Sequence, residues 1–178
     1  MILLVSLLPL SAEPGLSIEA SLEGGGTISV EPGCDAAPGS AFEGRLGIAT
    51  GAALGFVARA GMAYQSPSSF TADWFRYRGF LGLTLGAGAR AALGPLDATL
   101  LAGGMLARYD YSYSYFWFPY VELGVGIPVI QMGQHFALKA GASIPLYLRA
   151  DAFTMGLRAV LTVAFMPNRR AVAVLPNV

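Results

Sequence analysis

The apolar stretches of this chain alternate with a period of two, and the charges within them fall on one face. Residues 153–165 show this most clearly. Phe153, Met155, Leu157, Ala159, Leu161, Val163 and Phe165 line one face; Thr154, Gly156, Arg158, Val160, Thr162 and Ala164 line the other. Successive side chains of a β-strand point to opposite sides, so this period means strand. Comparable stretches recur near residues 15–23, 41–50, 53–64, 77–91, 96–109, 115–128, 135–149 and 152–166. Eight such strands, each with an apolar face opposite a small, mixed one, are what a membrane β-barrel requires.

Charge content separates this reading from a soluble barrel. Only 12% of the 178 residues are charged, against about 25% in ordinary soluble domains. The second face is mostly Gly, Ala, Ser and Thr, which suits a narrow lumen rather than a water-coated exterior. Membrane helices fit poorly, because a spanning helix needs about 20 mostly apolar residues. The longest charge-free stretch, Leu123 to Leu138, contains Pro128, Gln131, Gly133, Gln134 and His135. A Gly-rich helical bundle packed through Gly82 and Gly86 is the weaker alternative. The expected fold is all-β, an eight-stranded antiparallel up-and-down transmembrane β-barrel. Two strands fit less well. The fifth is apolar on both faces, with Leu100 beside Leu101, so its facing stays open. The seventh contains Pro145, which cannot donate to a ladder and suggests a bulge.

Net charge is zero and no basic excess points to nucleic acid. Residues 1–14 read as a signal peptide, with the apolar run MILLVSLLPLSA and a cleavage site at Leu10-Ser11-Ala12. Residues 15–166 form the barrel and 167–178 a periplasmic tail. The lone Cys34 has no intrachain partner. With one Cys and one His, no Cys/His zinc cluster can form, and no cofactor is expected. Connections alternate in length: Gly24 to Ser40 and Gln65 to Arg76 are long, Thr50-Gly51 and Gly94-Pro95 short. Barrels of this kind put short turns in the periplasm and long loops outside. Tyr64, Trp74, Tyr109, Tyr115, Trp117 and Tyr120 cluster toward the outer ends, with Phe136 and Phe165 toward the inner ends, as an aromatic girdle would.

These features, with the aromatic-ended closing strand Thr154 to Phe165, resemble the small eight-stranded outer-membrane barrels of the OmpA-transmembrane, OmpX and OmpW-like group. The resemblance covers roughly residues 15–166. The tail Met166 to Val178 departs from the pattern, since many relatives stop at the aromatic. The resemblance implies a bacterial outer-membrane, cell-envelope location. The expected partners are the lipid bilayer, lipopolysaccharide or an equivalent outer-leaflet lipid, and the barrel-assembly machinery, which reads a closing strand of this kind. A host ligand at the loops is a further expectation.

The expected inward charges are Glu19, Glu43, Arg45, Arg59, Arg90, Asp97, Glu122, Lys139 and Arg158. Charges confined in a lumen need partners, so at least two of these acids are expected within ion-pair distance of an inward Arg or Lys. Such a network either fills and rigidifies the barrel or lines a polar pore. Tyr109 to Phe118, rich in Tyr and Ser, reads as girdle continuing into a hairpin, or as a binding platform. His135 lies toward the periplasmic end with no Ser-His-acid set around it, so no enzyme is expected. Arg169 and Arg170 read as a solvated tail touching headgroups. Two functions remain. One is a structural or surface-interaction protein acting through exposed loops at 24–40 and 65–76. The other is a narrow, porin-like channel or transporter for small or apolar solutes. The second rests on the inward glycines Gly55, Gly61, Gly86, Gly88, Gly124, Gly126 and Gly141, read as an underfilled lumen. A lipid-modifying enzyme is a minor alternative.

Overall fold

The computed structural model describes residues 15–30, 36–51, 53–66, 79–109, 114–148 and 153–167. The expected signal peptide, Cys34, Trp74, Arg169, Arg170 and the tail from residue 168 lie outside them. Eight strands follow in chain order: β1 Leu16–Val30, β2 Ala37–Thr50, β3 Leu54–Gln65, β4 Phe80–Leu93, β5 Leu96–Tyr109, β6 Tyr115–Met132, β7 Phe136–Leu148 and β8 Phe153–Phe165. Each pairs antiparallel with its neighbour in sequence, and β1 pairs with β8, so the sheet closes into an up-and-down barrel. Closure pairs the backbone along the wall without an edge, as a lipid solvent demands.

The period of two becomes an outside and an inside. Leu22, Phe42, Leu46, Leu83, Leu85, Leu123 and Leu157 are among many large apolar side chains exposed on the outer wall, while Ser17, Glu19, Ser21 and Glu23 of β1 are buried inside. The facing of β5 resolves by the same rule. Leu101 and Met105 are buried in the lumen; Leu100 and Leu106 are exposed outside.

Three expectations about the strands change. The connection expected from Gly24 to Ser40 is mostly sheet, with Gly24–Ser29 laddered against Ala37–Phe42. Glycines there read as a loop, but Gly25 stands where β1 meets β8, and a Cβ on it would run into the Leu157 carbonyl oxygen. Close approach of two backbones is what glycine permits in a strand. Second, Pro145 makes no bulge. Its register holds on both sides, Glu122 to Pro145 on β6 and Leu146 to Met155 on β8. Gly156 makes room for the ring, since a Cβ there would lie 3.1 Å from Pro145 Cγ. The register shift falls instead between Pro128 and Ile130 of β6. Third, β6 runs on to Met132 before a turn in which Gly133 has φ +68°. The turn at Gly94, φ +64°, likewise uses the left-handed region that glycine enters freely.

Candidate functional site

Every strand sends at least one charged side chain inward. Five carboxylates, Glu19, Glu23, Glu43, Asp97 and Glu122, meet five cations, Arg45, Arg59, Arg90, Lys139 and Arg158. They form two layers.

The layer nearer the loop end centres on Arg45 of β2. Its guanidinium donates to both oxygens of Glu122 across the lumen, Nη1 to Oε1 at 2.7 Å and Nη2 to Oε2 at 2.6 Å. Arg45 also donates from Nη2 to Glu43 Oε2 at 2.8 Å and lies 3.2 Å from Glu23 Oε1. Glu43 further accepts from Thr84 Oγ1 at 2.6 Å and from Arg158 Nη1. Arg158 Nη2 donates to Tyr147 Oη at 2.9 Å, and Ser143 Oγ donates to Glu23 Oε2 at 3.1 Å. The planar fork of arginine lets one residue serve three carboxylates.

The second layer lies toward the short turns. Lys139 Nζ donates to Glu19 Oε1 and Asp97 Oδ2, both at 2.9 Å. Arg90 grips Asp97 with Nε at 2.9 Å and Nη2 at 2.6 Å. Arg59 Nη2 donates to Glu19 Oε2 at 3.4 Å, and its Nη1 lies 3.9 Å from Glu122 Oε1, which joins the two layers. A cavity of about 40 Å³ sits among Glu19, Arg59, Arg90, Asp97 and Lys139. That is room for a few water molecules.

Above the ions, toward the loops, an aromatic layer contributed by β3 to β7 packs inside the barrel. Phe80, Met105, Phe118, Tyr120 and Tyr147 form one buried cluster, with Tyr120 and Tyr147 ring centres 5.6 Å apart. Tyr120, read as girdle from sequence, is therefore a lumen residue; its even parity in β6, shared with Glu122, is the signal. Glu23 is the charge absent from the expected lumen set, although it follows Glu19 at the same parity. Thr84, Ser143 and Tyr147 complete the network and carry no charge to mark them.

At several inward glycines the space is taken by neighbouring side chains or backbone. A Cβ at Gly61 would lie 2.6 Å from Arg45 Cγ, at Gly47 2.7 Å from Arg59 Cγ, and at Gly82 2.8 Å from Met105 Cγ. At Gly86 it would collide with Tyr120 Oη, and at Gly88 and Gly141 with the backbone of the next strand. Glycine here lets long side chains lie flat against a sharply curved wall. The expectation of underfilling holds only in the second layer, where Gly124, Gly126 and Gly141 line the small cavity beside Arg59, Arg90 and Lys139.

On the outer wall Tyr64, Tyr115 and Trp117 are exposed. Trp117 covers Gly104, where a Cβ would collide with the indole. Phe165 packs on Phe136 at 5.0 Å at the short-turn end. Tyr109 closes β5; its side chain and Trp74 lie outside the description. Arg108 is exposed on the outer wall near the loop end. His135 Nδ1 lies 3.0 Å from the Met166 carbonyl oxygen, and its ring faces Phe165. Among the described residues no group of His, Cys, Asp and Glu is arranged to hold a metal ion.

No family model matches the chain, and no curated protein does so either. Solved structures do. Neisserial surface protein A is 18% identical with a TM-score of 0.50, over 84% of this chain and 96% of that one. Ail, the attachment invasion locus protein of Yersinia pestis, is 12% identical with a TM-score of 0.51, over 86% and 100%. The same protein in complex with the heparin analogue sucrose octasulfate gives 13% and 0.50, over 86% and 100%. At these identities the likeness is one of fold. The chain has the fold of the small eight-stranded outer-membrane β-barrels.

Proposed function

We propose that this chain sits in a bacterial outer membrane and acts at the cell surface through its loop end, not as a pore. The observation that carries this is the closed lumen: two ion-pair layers joined by Arg59 and Glu122, beneath a layer of packed rings. A passage would need all three to part. The exposed apolar belt supports the location, since an exterior of this kind is costly in water and favoured in lipid.

Further support comes from the neighbours, one a surface protein and one an attachment and invasion protein. Ail has been solved with a heparin analogue, but a polyanion is not favoured here. The connections at the loop end, residues 31–36, 66–79, 110–114 and 149–152, contain five acids (Glu31, Asp35, Asp73, Asp110, Asp151) and three bases (Arg76, Arg78, Arg149). The Tyr- and Ser-rich Tyr109 to Phe118 is the stretch we assign to a host ligand. Arg108, exposed beside the girdle, suits the phosphates of lipopolysaccharide or another outer-leaflet lipid. Phe165, ending β8, suits recognition by the barrel-assembly machinery.

The narrow-channel reading has one observation in its favour, the cavity beside Lys139 and Asp97. The test separates the two. Refolded full-length chain in planar bilayers is expected to show no sustained conductance steps. Reproducible ion-selective steps would discard the surface role in favour of the channel.

A further inference from the structure

At the short-turn end, four seams between strands are not closed by a turn or by the termini. Three of them continue past the ladder through an extra backbone bond. Gly51 N donates to Gly15 O across β1 and β2 at 2.6 Å, Ala92 N to Ala53 O across β3 and β4 at 2.9 Å, and Met166 N to His135 O beside β7 and β8 at 2.7 Å. The β5/β6 seam has no such bond among the described residues. Its ladder stops at Asp97 and Gly126, while β6 continues to Met132. From Pro128 to Met132 one side of β6 pairs with β7 and the other faces no strand. Residues Val129 to Phe136 are all exposed, with Val129, Ile130, Met132 and Phe136 giving the hairpin apolar surface.

An unpaired, apolar strand edge is a template for another strand. We propose that residues Ala171 to Leu175 of this same chain occupy it, running antiparallel to β6. Three observations select this occupant. Met166 is held against the hairpin turn by two bonds, its N to His135 O and its O to His135 Nδ1, so the chain leaves β8 at the tip it must cross. Crossing from β8 past β7 and β6 to the free edge is three strand spacings, about 14 Å. Pro167 to Arg170 extends at most about 14 Å. The five residues that follow, Ala171-Val172-Ala173-Val174-Leu175, are uncharged and apolar, match Pro128 to Met132 in number, and stop at Pro176.

Amide hydrogen exchange of the full-length chain in detergent micelles tests this, read at those amides of Val129 to Met132 that point away from β7. Two altered chains are compared with it: one truncated after Pro167, and one carrying V172P and V174P, which keeps the tail but removes two donors and blocks strand pairing. The expected result is exchange at least about tenfold slower in the full chain than in either alteration. Equal rates in all three, fast or slow, would overturn the proposal. So would protection that rises with protein concentration, which would assign the edge to a second copy.

Discussion

Gly86 and Gly126 both face the lumen, yet a methyl group would meet different surroundings at each. At Gly86 it would strike Tyr120 Oη, a ring held in the aromatic layer against Tyr147. At Gly126 the nearest atom would be Ala140 O at 3.7 Å, an ordinary contact. G86A is therefore expected to cost about 1–3 kcal/mol through overpacking, and G126A to stay within about 0.5 kcal/mol. Urea unfolding followed by the mobility of folded and unfolded forms on gels measures both. Equal, negligible effects would mean that the lumen is looser than described. Which charges share a face is legible in sequence from parity alone. Which partner each takes is not. Glu43 and Arg45 are two residues apart and their pairing could be guessed, but Glu122 lies 77 residues from Arg45. Only closure of the barrel, which sets β2 opposite β6, brings that pair together.

At the scale of elements, alternation located eight strands, and errors came where local composition and tertiary closure disagree. Gly24-Gly25-Gly26 reads as loop because glycine has no strand preference. It is strand because β1 and β8 must approach closely to seal the barrel. Pro145 reads as a defect, but Gly156 opposite it accommodates the ring. The sealing role of Gly25 carries a prediction. A Cβ there would collide with a backbone oxygen, Leu157 O, which cannot rotate aside as a side chain can. The strands themselves would have to separate. G25A is expected to weaken the β1/β8 seam by more than 1 kcal/mol and to lower the temperature at which the folded form is lost on gels. G26A places its methyl toward the outer wall, where the nearest atom is Gly39 O at 4.0 Å, and serves as the tolerant control. If G25A and G26A melt alike, the seam does not depend on that glycine.

For the whole molecule, balance matters more than any single bond. Burying ten charges is expensive, and a lumen of this width can hold them only if they are paired and close to neutral in sum. The described lumen has five of each sign, so neutrality belongs to the barrel and not to one pair. Arg90 and Asp97 test this, because they sit on adjacent strands, are joined by two hydrogen bonds and border the small cavity. D97L alone would leave Arg90, Lys139 and Arg59 around the single carboxylate of Glu19, and the described lumen with one positive charge in excess. Its expected cost is about 3 kcal/mol, the lower end for a broken buried pair, since both groups keep slight contact with water. R90M/D97L restores neutrality and replaces the pair by apolar side chains. It is expected to recover most of that loss and to lie within about 1 kcal/mol of the parent, as buried pairs exchanged for apolar residues commonly do. Lys139 has Glu19 as its remaining partner in the double variant, at 2.9 Å, which is why the recovery need not be complete. The measurement is a double-mutant cycle by urea unfolding in one detergent at fixed salt. If the double variant is instead less stable than D97L alone, pairwise geometry and not net charge holds the barrel's interior together.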